Sequence, residues 1–462
     1  MNTFKIINPA TGASIGSAPD ANAGDARAAI ERSVTAFPLW KAKTAFERAD
    51  ILRRWRDLIL NNEDAIARLM SGEMGKPITE SRGEVKYAAG FVDWYAEEGK
   101  RAYGDLIPTH APAKRLLAMR QPVGPVYAVT PWNFPAAMVT RKVAPALAAG
   151  CTVVLKPAEQ SPLTALRLSE LWVEAGGPAD VFQVLTTADP VAVSAPFFAD
   201  ARVRKLTFTG STEVGKLLYA QAARTVKRVS LELGGHAPFI IFEDADVAAA
   251  VTQVMATKFR NAGQTCVCAN RIYVHASIRD AFVARLAEAV RELRVGDPLS
   301  DTTQVGPLVD RAGLDKVAAH VADAVAKGAR AVVGGHAGQG LYFEPTLLVD
   351  VTAGMRILDE ETFGPVAPVV SFTAEADVVA AANATPYGLA AYIWTRDLGR
   401  AFRVAETLDY GIVGVNDGLP ATPHAPFGGV KASGVGREGG RWGLEEYLDV
   451  KYVSILLNSQ PS

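Results

Sequence analysis

One thiol stands out among the side chains of this sequence that could form a covalent bond to a substrate. Cys266 lies in NAGQTCVCANR (261–271), after Gly263 and Gln264 and just before the β-rich RIYV (271–274). A thiol in a glycine-containing turn ahead of a strand can be exposed and nucleophilic. The segment alone also suits a small buried hydrophobe. Glu232 ends the apolar run RVSLEL (228–233). Desolvation at such a strand end raises a carboxyl pKa and fits it to act as a general base, although the same position also suits a simple pair with a surface lysine. Asn133 sits in TPWNFP (130–135), whose prolines and aromatics stiffen the backbone. Its amide could meet a developing oxyanion, or it could be a turn asparagine. These three residues could serve as a nucleophile, a base and an oxyanion donor.

Other segments suit a nucleotide. KLTFTGSTEVGK (205–216) runs strand, turn, helix, with Gly210 in the turn and Ser211 or Thr212 as helix cap. A helix start offers unpaired N–H groups and partial positive charge to a pyrophosphate. Its G-x-x-x-x-G spacing is neither the GxGxxG fingerprint nor a Walker loop, so the segment alone favours a plain βα turn over a dinucleotide site. KPAEQSP (156–162) follows the β-rich TVVL (152–155) and would set Lys156 and Glu159 at a strand's C-terminal end, where open α/β sheets bind ligands. A carboxylate there can accept both ribose hydroxyls and would repel a 2′-phosphate, although the segment alone better suits an exposed loop with a solvated ion pair. EETFGPV (360–366) and PFGGVKASGVGREGG (426–440) are further loop candidates; the second has six glycines in fifteen residues and allows close backbone approach. The six histidines form no HExxH or Cys-His spacing, so no metal is expected.

The elements that must position these residues follow a βα rhythm. The first hundred residues read as helical, with apolar positions at helical spacing in 49–60 and 84–96. Residues 115–129 turn to extended segments around Pro122 and Gly124. Strands are then expected at 126–130, 152–155, 181–184, 205–209, 239–242, 271–274, 368–372, 391–394 and 411–415. Helices fit between most of them, which implies βαβ units, mainly parallel sheets and helices on both faces. The pair Gly234-Gly235 marks a domain boundary.

Bulk composition narrows the function. The chain has 462 residues, 49% apolar and 21% charged, with a net charge of −1. Two or three domains are expected, and no basic excess points to nucleic acid. The longest apolar run, 144–155, is too short for the roughly 20 residues of a membrane span. MNTFKIINPATG shows no secretion signal, and three cysteines give no disulfide framework, so a cytoplasmic location is expected.

Taken together, in this order and at these spacings, the segments resemble the aldehyde dehydrogenase superfamily over nearly the whole chain. The resemblance implies a Rossmann-type cofactor domain (1–103 and 123–234) interleaved with an α/β catalytic domain (235–432), and a small β oligomerisation element (104–122 and 448–457). It implies that Cys266 is the nucleophile, Glu232 the general base and Asn133 the oxyanion donor, with Lys142 and Glu438 as proton-relay groups. NAD would be held by Trp132, Lys156, Glu159, Gly210, Ser211, Leu233, Glu361 and Phe363. Glu159 favours NAD, with NADP possible. A homodimer or homotetramer is implied.

Within the superfamily, TPWNFPAAMVTRKVAPALAAGCTVVLKPAEQSP and KFRNAGQTCVCANR are most similar to the succinate-semialdehyde dehydrogenase branch. That likeness implies an aldehyde with a distal carboxylate clamped by Arg141 and Arg260, since a guanidinium can bond both oxygens of a carboxylate. Phe427 would line the substrate site. Where the branch has a serine before PFGG, this chain reads NDGLPATPHAPFGG, and Thr422 could supply the hydroxyl. 2-Oxoglutarate and glutarate semialdehydes, or a less specific aldehyde range, are alternatives; a thiol esterase without a redox step is a distant one. Cys268, two residues after the nucleophile, is a redox-switch candidate whose bridge to Cys266 would be strained and readily reduced.

Overall fold

The computed structural model describes residues 2–457. A six-stranded sheet runs, in spatial order, Gly434–Val435, Arg228–Glu232, Lys205–Thr209, Val126–Val129, Val153–Lys156 and Phe182–Val184. All its neighbours pair in parallel except Gly434–Val435, which is antiparallel to Arg228–Glu232. The strands are short and mostly buried, because helices cover both faces. Chain order reverses between Val126–Val129 and Lys205–Thr209. Such a switch point opens a crevice at the strands' C-terminal ends.

A second, seven-stranded sheet runs Arg330–Val333, Thr346–Val349, Val366–Phe372, Ala269–His275, Ala237–Ile241, Ala390–Trp394 and Ile412–Val415. Only Arg330–Val333 is antiparallel to its neighbour. Gly234 and Gly235 lie in the connection between the last parallel strand of the first sheet and Ala237–Ile241 of the second. A third, antiparallel sheet pairs Leu448–Leu456 with Lys114–Pro122, and that strand with Asp105–Ile107. Every strand expected from the sequence is present, and the architecture is the α/β fold expected.

The N-terminus is a correction. It is not helical throughout: Thr3–Ile7 and Ser14–Pro19 form an antiparallel hairpin. Asn8 accepts from the N–H groups of Thr11 and Gly12 through its backbone oxygen, closing the turn in NPATG. Thr346–Val349 and Arg330–Val333 were also not foreseen, because short apolar runs carry no helix-versus-strand signature.

Behind the first sheet, helices Ala45–Asn61, Ile78–Glu98 and Ala137–Ala149 share one core. Trp172 meets both Trp40 and Trp55 edge-on there, with centroids 5.7 and 5.6 Å apart. Among the described residues no helix is long and apolar enough to cross a membrane.

Candidate active site

Cys266 leaves the loop just before Ala269–His275. That loop is held in an unusual conformation: Asn261 and Ala262 both adopt φ 52°, a left-handed state that costs non-glycine residues about 1 kcal/mol or more. Side-chain bonds hold it there. Asn261 Nδ2 donates to the Asn133 carbonyl at 3.1 Å and the Gln264 carbonyl at 3.2 Å, and Gln264 Nε2 returns a bond to the Asn261 carbonyl at 3.1 Å. Gly235 packs directly on the far side. A Cβ there would come within 2.2 Å of the Cys266 carbonyl oxygen, so only glycine lets the two segments approach this closely.

Cys266 opens onto a cavity of about 410 Å³ lined also by Tyr87, Phe134, Met138, Arg141, Arg260 and Phe427. Its sulfur is deep enough that burial pushes the thiol up to about 12, with the charge of Arg141 opposing. A thiol held this high would have to lose a proton before it could act as a nucleophile. Asn133 is buried beside the loop. Its side-chain amide donates to the Gln264 carbonyl at 3.0 Å, which leaves one N–H uncommitted, and its Oδ1 has no partner.

Glu232 is the last residue of its strand, buried, with Oε2 unbonded. Burial first, and the charge of Glu438 second, push its carboxyl well above the ordinary range. Gly428 makes room for it, since a Cβ there would lie 2.8 Å from Glu232 Oε1. Glu438 behaves oppositely. Burial opposes its charge, but Lys142 at 2.5 Å and Arg141 at 2.9 Å outweigh that and hold it below the ordinary range. Two neighbouring carboxyls driven apart in this way are suited to opposite proton-transfer roles.

The two arginines are not equivalent. Arg141 is ion-paired to Glu438 and stacked 3.9 Å above the Phe427 ring, with Nη2 unbonded. Arg260 has no ion-pair partner among the described residues, and its Nε makes no hydrogen bond. Thr422 is a correction: it does not line the cavity, and its hydroxyl lies 3.4 Å from His424 Nε2. The loop presents Leu419, Pro420 and Ala421 instead. Cys268 is buried outside the cavity, its sulfur 3.3 Å from Lys258 Nζ. A bridge to Cys266 would require it to leave that contact.

At the switch-point crevice, Ser211 caps helix Thr212–Ala223 by accepting from the Val214 N–H at 3.3 Å, which leaves earlier N–H groups open to an anion. Gly210 precedes it, and Leu233 is packed below. Lys156 Nζ lies 2.6 Å from Glu159 Oε1 at the end of strand Val153–Lys156, on the other side of Val126–Val129. Between crevice and cavity, Trp132 and Phe363 meet edge-on at 5.6 Å. Glu361 Oε1 accepts from the Gly235 N–H at 3.0 Å, and burial raises its carboxyl to about 7. These groups fit a dinucleotide: an open helix start for phosphate, a carboxylate for ribose and an aromatic pair for a flat ring.

A family model described as the aldehyde dehydrogenase family matches residues 1–453. The chain belongs to the aldehyde dehydrogenase family. A succinate-semialdehyde dehydrogenase of Escherichia coli (strain K12), named for NADP(+), is 55% identical over 452 residues, 97% of this chain and 94% of that protein. A glutarate-semialdehyde dehydrogenase of Pseudomonas aeruginosa is 54% identical over 455 residues, 98% of this chain and 94% of that one. A crystal structure of succinate-semialdehyde dehydrogenase from Burkholderia pseudomallei matches with a TM-score of 0.97 and 50% identity, covering 99% of this chain and 95% of that one. The chain is thus an aldehyde dehydrogenase using a nicotinamide dinucleotide.

Sequence reasoning missed several residues of this aldehyde dehydrogenase site. Lys76, Glu80 and Glu84 all line the cavity. Apart from the Lys76–Glu84 pair, their partners are distant in sequence, and no local motif marks them.

Proposed function

We propose that this enzyme oxidises succinate semialdehyde to succinate. The observation that carries the reading is Arg260, a cation without an ion-pair partner in the same cavity as Cys266, joined by the unbonded Nη2 of Arg141. A cation left without a partner in a cavity favours an anionic ligand. The names of the relatives in E. coli and B. pseudomallei support the same substrate; that of the P. aeruginosa relative supports glutarate semialdehyde as the alternative, one carbon longer.

In this reading the Cys266 thiol gives up its proton, with Glu232 the nearby acceptor, and the sulfur attacks the aldehyde carbon. The resulting oxyanion is received by the free amide N–H of Asn133 and the backbone N–H of Cys266. When bound, the nicotinamide supplies the acceptor for the hydride the carbon then loses. The oxygen lone pair re-forms the carbonyl, leaving a thioester on Cys266. Glu232 takes a proton from water, the hydroxide oxygen attacks the thioester, and Cys266 departs as thiolate. Lys142 and Glu438 relay the proton away from Glu232.

Trp132, Lys156, Glu159, Gly210, Ser211, Leu233, Glu361 and Phe363 would hold the dinucleotide. The Glu159 carboxylate supports NAD; the NADP(+) in the name of the E. coli relative supports NADP. Residues 1–103 and 123–234 form the cofactor domain and 235–432 the catalytic domain. The antiparallel sheet of 104–122 and 448–457 leaves Leu106, Met119 and Tyr452 exposed, which supports assembly of a homodimer or homotetramer. The three free thiols suit a cytoplasmic enzyme.

The test is a kcat/KM panel. Arg260→Ala should lower kcat/KM for succinate semialdehyde by about 10- to 150-fold, the worth of one charged hydrogen-bonded contact. It should leave propanal turnover within about threefold. Equal losses on both aldehydes would reject the carboxylate clamp.

A further inference from the structure

The stretch 73–84 takes no part in the chemistry above, yet four of its ionisable side chains turn inward and each holds a different piece of the site. Glu73 accepts from the N–H groups of Leu163 and Thr164 at 2.8 and 3.0 Å, capping the helix Pro162–Glu174 that follows the Lys156–Glu159 loop. Glu80 accepts from the Asn261 N–H at 2.8 Å, at the strained turn before Cys266. Glu84 accepts from the N–H groups of Ala136 and Ala137 at 2.9 and 3.1 Å. It thereby caps the helix Ala137–Ala149, which lacks a capping side chain of its own and carries Arg141 and Lys142.

Lys76 is the least expected of the four. Its side chain has no solvent exposure. It pairs with Glu84, donates to the Asn133 carbonyl at 2.8 Å and lies 3.8 Å from the Phe134 ring centroid. A buried ion pair seldom adds net stability over apolar residues of similar volume, so stability is a weak account of this one. Its specific contact is the Asn133 carbonyl. Lys76 and Asn261 Nδ2 grip that oxygen from two sides, which fixes the peptide plane after Asn133. The side chain of the same residue is tied to the Gln264 carbonyl.

We propose that Lys76 is the positioning residue of the oxyanion site: by holding the Asn133 carbonyl it sets the direction in which the Asn133 side-chain amide is aimed. Glu84 holds Lys76 in turn and couples it to the helix that carries Arg141. The inference rests on Asn133 being the oxyanion donor.

A double-mutant cycle tests both levels. The readout is the single-turnover rate of reduced-nicotinamide formation with succinate semialdehyde, alongside the Kd for reduced cofactor. Asn133→Ala should slow the step by about 100- to 1,000-fold. Lys76→Met should slow it by about 10- to 100-fold, the scale of a small misplacement, with the cofactor Kd unchanged. The double variant should be within about threefold of Asn133→Ala alone, because Lys76 has nothing left to aim. Losses that multiply in the double variant, or a Lys76→Met enzyme as fast as wild type, would overturn the proposal. An undiminished rate in Asn133→Ala alone would instead remove the oxyanion reading, and the positioning role with it. Should Lys76→Met leave Glu84 charged and unpaired and fail to fold, Lys76→Met/Glu84→Gln removes both charges, and the same comparison decides.

Discussion

The cofactor crevice and the aldehyde cavity lie side by side but are built on opposite plans. The crevice is local where it would meet phosphate and adenosine ribose. Strand, turn, cap and helix follow one another in 205–223, and Lys156 and Glu159 are three residues apart on one loop. Its ionisable pair is part-exposed, Glu159 retaining 35% of its side-chain surface. The cavity is assembled from afar. Glu84 caps a helix more than fifty residues away, Lys142 meets Glu438 across 296 positions, and the carboxyls involved are buried. Local assembly gives a surface that binds; remote assembly gives buried charges that act strongly on one another. Damage in the cavity should therefore alter rates and pH profiles, and damage in the crevice should alter affinities.

The largest separation is expected at the nucleophile. Cys266→Ser should lower aldehyde-dependent nicotinamide reduction by about four orders of magnitude or more, while titration of protein fluorescence with NADH gives a Kd within about twofold of wild type. A Cys266→Ser enzyme that still reduces nicotinamide at the parent rate would contradict the thioester route. The next effect is a displacement along the pH axis. Glu232 serves as a base only when deprotonated, so thioester hydrolysis should rise with pH along a limb lying above the ordinary carboxylate range. After burial, the negative charge of Glu438 is the main influence raising Glu232. Glu438→Gln removes that charge and leaves Lys142 and Arg141, which favour the ionised form. Both changes have the same sign, so the ascending limb should move to lower pH. A limb that stays put or moves up would mean that another group governs hydrolysis.

The same contrast explains what was legible in the sequence. TVVL, KLTFT and RIYV are legible as strands because short runs rich in β-branched and aromatic residues recur between helical stretches in a βα rhythm, and Ser211 is legible as a cap because the partner N–H is three residues away. Cys266, Glu232 and Asn133 were legible as a set, through resemblance, rather than singly. Lys76, Glu80 and Glu84 were not legible. GKPITESRGEV looks like the start of an ordinary surface helix, and nothing near it reveals that its charges turn inward to bond Asn133, Asn261 and Ala136. Thr422 misled for the reverse reason: a hydroxyl in the expected loop is turned to His424, and Ala421 takes the wall position.

The smallest predicted effect probes the crevice itself. If Glu159 selects against a 2′-phosphate by like charge, Glu159→Ser should tighten NADP(+) binding, free Lys156 to meet the phosphate and weaken NAD(+) through loss of the ribose contacts. The Lys156–Glu159 pair is part-exposed, so solvent screens it, and the ratio of the two Kd values should change by about tenfold rather than by thousands. Because a part-exposed pair adds little to stability, Tm should hardly move, and kcat with saturating cofactor should stay near wild type. A ratio unchanged by Glu159→Ser would place cofactor choice elsewhere in the crevice. A fall in kcat as large as the shift in Kd would mean that the two regions are coupled rather than merely adjacent.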